Sequence, residues 1–233
     1  MKNKIKLVVG LLFATAFVAQ ADRLQTNQRD SNRTYGDMQG FAIDFDSSAA
    51  NRATATPVLT NGVTYSLDDV AVRVATSHNK FGATRDSYLG VYTTVNNDGT
   101  LGGFLGASDS AVTLTDGSGK AYQTWDFSNI NVTVDNVKGS GSGLLYFVFQ
   151  TNSTAEASLD TTGNFDTPCI RDSNGSMNND LSAIVRGDLA NKVITNRAVL
   201  YTAHLTVIPE PATLGMILLM GGGLIFVRRR IMM

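Results

Sequence analysis

The chain has 233 residues, a formal net charge of -1, one cysteine and two histidines. Three lysines fall within its first six residues and three arginines within its last six, so the stretch from Asp22 to Val207 holds 13 cationic against 19 anionic residues, a net charge near -6. An acidic body excludes the basic face that nucleic-acid binding calls for, and a lone Cys169 excludes an internal disulfide framework and a paired-cysteine metal site.

Lys2, Lys4 and Lys6 precede an apolar run from Leu7 to Val18, and Ala19-Gln20-Ala21 then offers small residues on either side of one spacer. That order is a secretory signal peptide over residues 1–21, with cleavage expected after Ala21. Twelve residues are short for a membrane anchor, which needs about 20. The mature chain then begins at Asp22, with a lead-in over residues 22–40.

From Phe41 onward the dominant apolar period is two. Val63 to Leu67, Val70 to Val74, Tyr88 to Thr93, Val112 to Leu114, Tyr122 to Phe127, Ile130 to Val134 and Ala198 to Val207 read as half-buried strands. Leu144 to Phe149 is apolar on both faces and reads as a central strand. Asn61-Gly62, Asp98-Gly99, Asp116-Gly117 and the Gly139 to Gly143 stretch supply reversals, because asparagine, aspartate and glycine tolerate turn geometry. Leu181 to Val193 fits a short helix and an irregular strand equally. Many short strands with regular turns predict an all-β fold over residues 41–207, an antiparallel β-sandwich of jelly-roll type. An immunoglobulin-like sandwich is the second choice, though its Cys-Trp-Cys pattern is missing. Asn152 to Asn179 reads as a long surface excursion, the kind of loop on which binding is built.

Chemistry is sparse along this body, and no catalytic residue, cofactor or metal site is assigned. His78 and His204 are far apart and lack metal-ligand spacing, and Cys169 reads as a small buried hydrophobe. Trp125 shares a face with Phe127; its size favours the core, while an exposed Trp125 would stack on a sugar ring. Asp44 and Asp46, or Asp68 and Asp69, could supply the two carboxylates of a glycosidase. Eighteen aspartates make such pairs common by chance, so a solvated strand face is preferred. Asn96-Asn97-Asp98-Gly99 opens like a calcium loop but lacks its downstream glutamate, and reads as a hairpin turn.

The C-terminal segment, residues 208–233, has three parts. Pro209-Glu210-Pro211 ends the last strand, since proline has no backbone donor to extend it. Ala212 to Val227 is uncharged and rises about 24 Å as a helix, a marginal span for a hydrocarbon core of about 30 Å. Arg228, Arg229 and Arg230 then hold the cytoplasmic side, which places the body outside.

Pro209-Glu210-Pro211, the Ala-Thr-Leu-Gly that follows, the short glycine-containing apolar segment and the terminal arginines together resemble the PEP-CTERM sorting signal of Gram-negative bacteria. The pairing with an N-terminal signal peptide strengthens the resemblance. It implies that an exosortase, a membrane-embedded transpeptidase-like enzyme, removes the tail at or near the motif. The inner membrane is then a transient anchor, and the passenger reaches the cell surface or exopolysaccharide matrix. The run from Ser87 to Val112, with "TWDFSNINVTV" and "GLLYFVFQTNS", is similar to the β-sandwich passengers found on such proteins. The expected function is therefore a non-enzymatic surface or matrix protein, structural or weakly binding extracellular polysaccharide. A secreted carbohydrate-active enzyme of glycoside-hydrolase type is the alternative.

Overall fold

The computed structural model describes residues 21–25, 30–45, 63–75, 85–114, 122–136, 144–160, 167–172, 184–185, 193–194 and 199–209. Backbone contacts divide the chain into two units, one of Ala21–Thr206 and one that joins Met1–Gln20 with Val207–Met233. Everything below concerns the first unit, apart from Val207, Ile208 and Pro209. The expected signal peptide before Ala21 and the tail from Glu210 onward lie outside the described residues, and among the described residues no helix is long and apolar enough to cross a membrane.

Fourteen strands make up the described part: β1 Ala21–Gln25, β2 Asp30–Met38, β3 Gly40–Asp44, β4 Val63–Ala75, β5 Arg85–Val95, β6 Leu101–Ala107 and β7 Val112–Leu114, followed by β8 Tyr122–Phe127, β9 Val132–Asn136, β10 Leu144–Gln150, β11 Thr167–Asp172, β12 Ile184–Val185, β13 Val193–Ile194 and β14 Tyr201–Val207. The first sheet runs β1-β14-β4-β11-β2, with β8 and β9 also on β4; the second runs β13-β12-β3-β10-β5-β6, with β7 also on β5. The all-β, antiparallel expectation therefore holds for the described residues.

The pairings nest like the two arms of one long hairpin. β1 pairs with β14, β3 with β10, β4 with β8 and β9, and β5 with β6, each antiparallel. β14 lies between β1 and β4, with the amide of Arg73 donating to the Leu200 carbonyl at 2.9 Å. Residues 22–40 therefore differ from the expected lead-in, since they contribute the edge strand β1 and the strand β2. Their polar residues hid this from a period-two reading.

Apolar alternation puts one face of each sheet inward, and aromatic rings from the two sheets meet there. Phe149 of β10 lies 6.0 Å from Trp125 and 5.9 Å from Phe127 of β8, while Phe41 of β3 stacks 6.4 Å from Tyr201 of β14. Leu67, Val70, Val72, Ala203 and Leu205 fill the same layer and are fully buried. Each large side chain contributes roughly 1.5–3 kcal/mol through burial, enough to hold a body that has no disulfide.

Gly90 is dictated by packing against a buried side chain. A Cβ on Gly90 would overlap the side-chain amide of Gln150, whereas one on Gly102 would meet the Thr94 Cβ at an ordinary 3.6 Å. Gln150 has no room to withdraw. It is fully buried, its Oε1 accepts from the Tyr92 hydroxyl at 2.8 Å, and its Nε2 donates to the carbonyls of Asn152 and Thr154 at 2.7 and 3.1 Å. Gly90→Ala is expected to lower the unfolding free energy by about 1–3 kcal/mol, with Gly102→Ala close to neutral. Urea denaturation of the two variants side by side checks this.

Candidate functional site

Of the two aspartate pairs singled out by sequence, Asp44 closes β3 opposite Leu144, and Asp68 and Asp69 form a bulge in β4. Tyr65 and Leu67 are buried before it and Val70 and Val72 after it, so the inward face changes parity across Asp68 and Asp69. β9 pairs with the residues up to Leu67 and β8 with those from Val70. The chain joining β8 to β9 crosses this break, where the Ile130 amide donates to the Asp68 carbonyl at 2.8 Å. Asn129 and Asn131 flank Ile130 with φ of 56° and 51°, left-handed values that asparagine accepts more readily than most residues.

Each carboxylate of the bulge has a partner. Asp68 Oδ2 accepts from the Thr206 hydroxyl at 2.6 Å, and Asp69 Oδ1 accepts from the Asn129 amide at 3.1 Å. Asp69 Oδ2 also faces His204 Nδ1 at 3.7 Å, with the two side chains 35% and 49% exposed. A separation of 3.7 Å exceeds hydrogen-bond length, and an exposed pair of this kind contributes about 0–1 kcal/mol. The bulge thus ties β4, β14 and the β8–β9 connection together. Among the described residues no group of three His, Cys, Asp or Glu could hold a metal ion.

A second cluster lies on the opposite face of β10 from Phe147 and Phe149. Tyr146, Tyr92 and Phe104 occupy successive register positions on β10, β5 and β6, with Tyr92 and Phe104 5.2 Å apart. Tyr92 is 1% exposed, while Tyr146 and Phe104 are half-buried and pack with Leu101 against Tyr92, Val95, Val148 and Leu159. Asn152 to Asn179 is not one surface excursion, since β11 at Thr167–Asp172 pairs with β2 and β4 inside it, but the segment just after β10 does lie over this cluster. The Leu159 amide donates to the Gly99 carbonyl, the Leu101 amide to Ala157, and the Glu156 amide to the Tyr92 hydroxyl, all at 2.8–2.9 Å. Burial raises the Tyr92 hydroxyl pKa, opposed by the Glu156 amide and aided by the Glu156 charge; burial alone raises that of Tyr146. The sequence reading missed β6, because Leu101-Gly102-Gly103-Phe104-Leu105-Gly106 is too glycine-rich to show a period of two. Leu105 stands 45% exposed beside Phe104.

The remaining expected residues are placed as follows. Trp125 is 4% exposed, its ring meeting Phe149 edge-on at 87°. A sugar platform needs an open ring face, so the stacking role is corrected to a core role. Asn96 to Thr100 form the β5–β6 hairpin turn with Gly99 at φ 88°. Asp98 Oδ1 accepts from the Thr100 amide and hydroxyl at 2.9 and 2.7 Å, which lowers the carboxyl pKa. Cys169 sits in β11 as register partner of Tyr35 and Val74. Ile184–Val185 and Val193–Ile194 are short strands, which resolves the helix-or-strand ambiguity of those residues toward strand. Ala21 opens β1, and Pro209 is exposed just beyond β14. Ala19, Glu210, Pro211, Arg228, Arg229, Arg230, His78 and Asp46 lie outside the described residues.

Comparison of the chain with protein-family models, with curated proteins and with solved structures finds no match.

Proposed function

We propose that this chain is an exported passenger of the cell surface or exopolysaccharide matrix, a β-sandwich of jelly-roll type sorted by the Pro209-Glu210-Pro211 tail and cut by an exosortase. The jelly-roll reading rests on the nested pairs β1–β14, β3–β10, β4 with β8–β9, and β5–β6, because folding one long hairpin over itself yields two facing sheets with that order. One observation does most to support the sorting reading. The last described strand ends at Val207, and Ile208 and Pro209, the first residue of the motif, follow it as exposed residues. A processing enzyme needs an accessible segment at its motif.

The passenger acts structurally or binds neutral polysaccharide weakly, without catalysis. The bulge carboxylates give the hydrolase alternative little support, since Asp68 is tied to Thr206 and Asp69 to Asn129. Fractionation of a Gram-negative host carrying an exosortase tests the sorting reading, which requires the passenger in the surface or matrix fraction. Exposing that passenger to a glycan array and to polysaccharide substrates separates the two roles: retention without chain shortening fits the binding role, and released sugars would replace it with the enzyme.

A further inference from the structure

The strand order around β1 bears on when the signal peptide can be removed. β1 is an edge strand of its sheet, and β14 alone joins it to β4. Its ladder with β14 runs from Ala21↔Thr206 and Asp22↔Leu205 to Gln25↔Thr202, so the Ala21–Asp22 peptide bond lies inside the paired segment. β14 is also the last of the described strands and is preceded by the buried residues Val199 and Leu200. Until the residues after Leu200 have been exported, β1 has no neighbour in the sheet.

We propose that this order fixes a sequence of events: the Ala21–Asp22 bond stays open to hydrolysis throughout export and is sealed when β14 inserts between β1 and β4. The proposal rests on reading residues 1–21 as a signal peptide. A signal peptidase must hold the backbone around the bond in an extended, unpaired form, and a segment already hydrogen-bonded to β14 offers its backbone groups to β14 instead. Hydrolysis adds the water oxygen to the Ala21 carbonyl, leaving a carboxylate, and frees the Asp22 nitrogen as the new amino terminus. Cleavage therefore precedes closure of the first sheet. Any precursor that folds before it is cut keeps its signal segment.

The test uses the full-length precursor in detergent micelles with a purified signal peptidase, following release of residues 1–21 by mass spectrometry. Precursor folded beforehand should be cut at least about tenfold more slowly than the same precursor diluted from urea into enzyme, because cleavage of a folded chain tracks its opened fraction. Hydrogen exchange on the folded precursor should show protected amides within Asp22 to Leu24. Equal cleavage rates, or unprotected amides in that segment, would overturn the proposal. If the urea-diluted chain is not cut after Ala21 either, the signal-peptide reading itself is wrong and the proposal falls with it.

Discussion

Phe149→Ala is expected to lower the unfolding free energy of the body by about 3–5 kcal/mol, the usual cost of removing a large buried ring. Phe149 is 2% exposed and touches Trp125 edge-on, Phe127 at a tilt and Phe41 on the neighbouring strand. It belongs to the second sheet, while Trp125 and Phe127 belong to the first. Its removal therefore opens a cavity between the sheets as well as losing ring contacts. Ser153→Ala, at an exposed loop position, serves as the control and should stay within about 0.5 kcal/mol. Urea unfolding followed by tryptophan fluorescence reads both, since Trp125 is the single tryptophan and lies against the cavity. A loss below about 1 kcal/mol for Phe149→Ala would mean that the two sheets do not share this core.

Replacing Pro209, Glu210 and Pro211 together by alanine is expected to leave the full-length chain in the inner membrane of a host that carries an exosortase. The body is a folded pair of sheets that resists entering a bilayer. On the proposed topology Arg228 to Arg230 would resist leaving the cytoplasmic side, at a cost of about 2.5 kcal/mol or more for each arginine drawn to the bilayer centre. On that topology these two features would hold the motif near the outer boundary of the membrane, where an exosortase would meet it. Alanines there leave the anchor intact and remove the recognition element. Immunoblots of membrane and surface fractions with an antibody to the body report the outcome. Normal surface delivery of the triple variant would show that sorting does not read this motif.

Strands with strict alternation were legible in the sequence because a half-buried strand must repeat every two residues. Tyr122–Phe127 is found with the expected bounds, and Leu144–Gln150, legible as a continuous apolar run rather than by alternation, extends its expected strand by one residue. The exceptions have local causes. Val63 to Leu67 and Val70 to Val74 read as two strands because Asp68 and Asp69 break the alternation, yet a bulge keeps both halves in one strand. β6 was hidden by its glycines, and β1 and β2 by polar residues that gain a partner only through distant strands. That β1 meets β14, the first and last of the described strands, is a long-range fact that no local pattern encodes. For the same reason the sequence could name Trp125 and Phe127 as sharing a face without deciding which way that face turned. The proposed sorting motif rests on local chemistry alone, two prolines, an uncharged run and an arginine cluster in immediate succession, and from Glu210 onward it lies outside the described residues.

The central claim is that both ends of this chain are addresses removed from a β-sandwich passenger, and the termini of the protein recovered from the surface fraction test it most directly. Mass spectrometry of that protein should find an amino terminus at Asp22 and no residue from Ala212 onward. A peptide containing Phe226 and Val227 in the surface fraction would contradict processing of the tail, and one containing Phe17 would contradict removal of the signal.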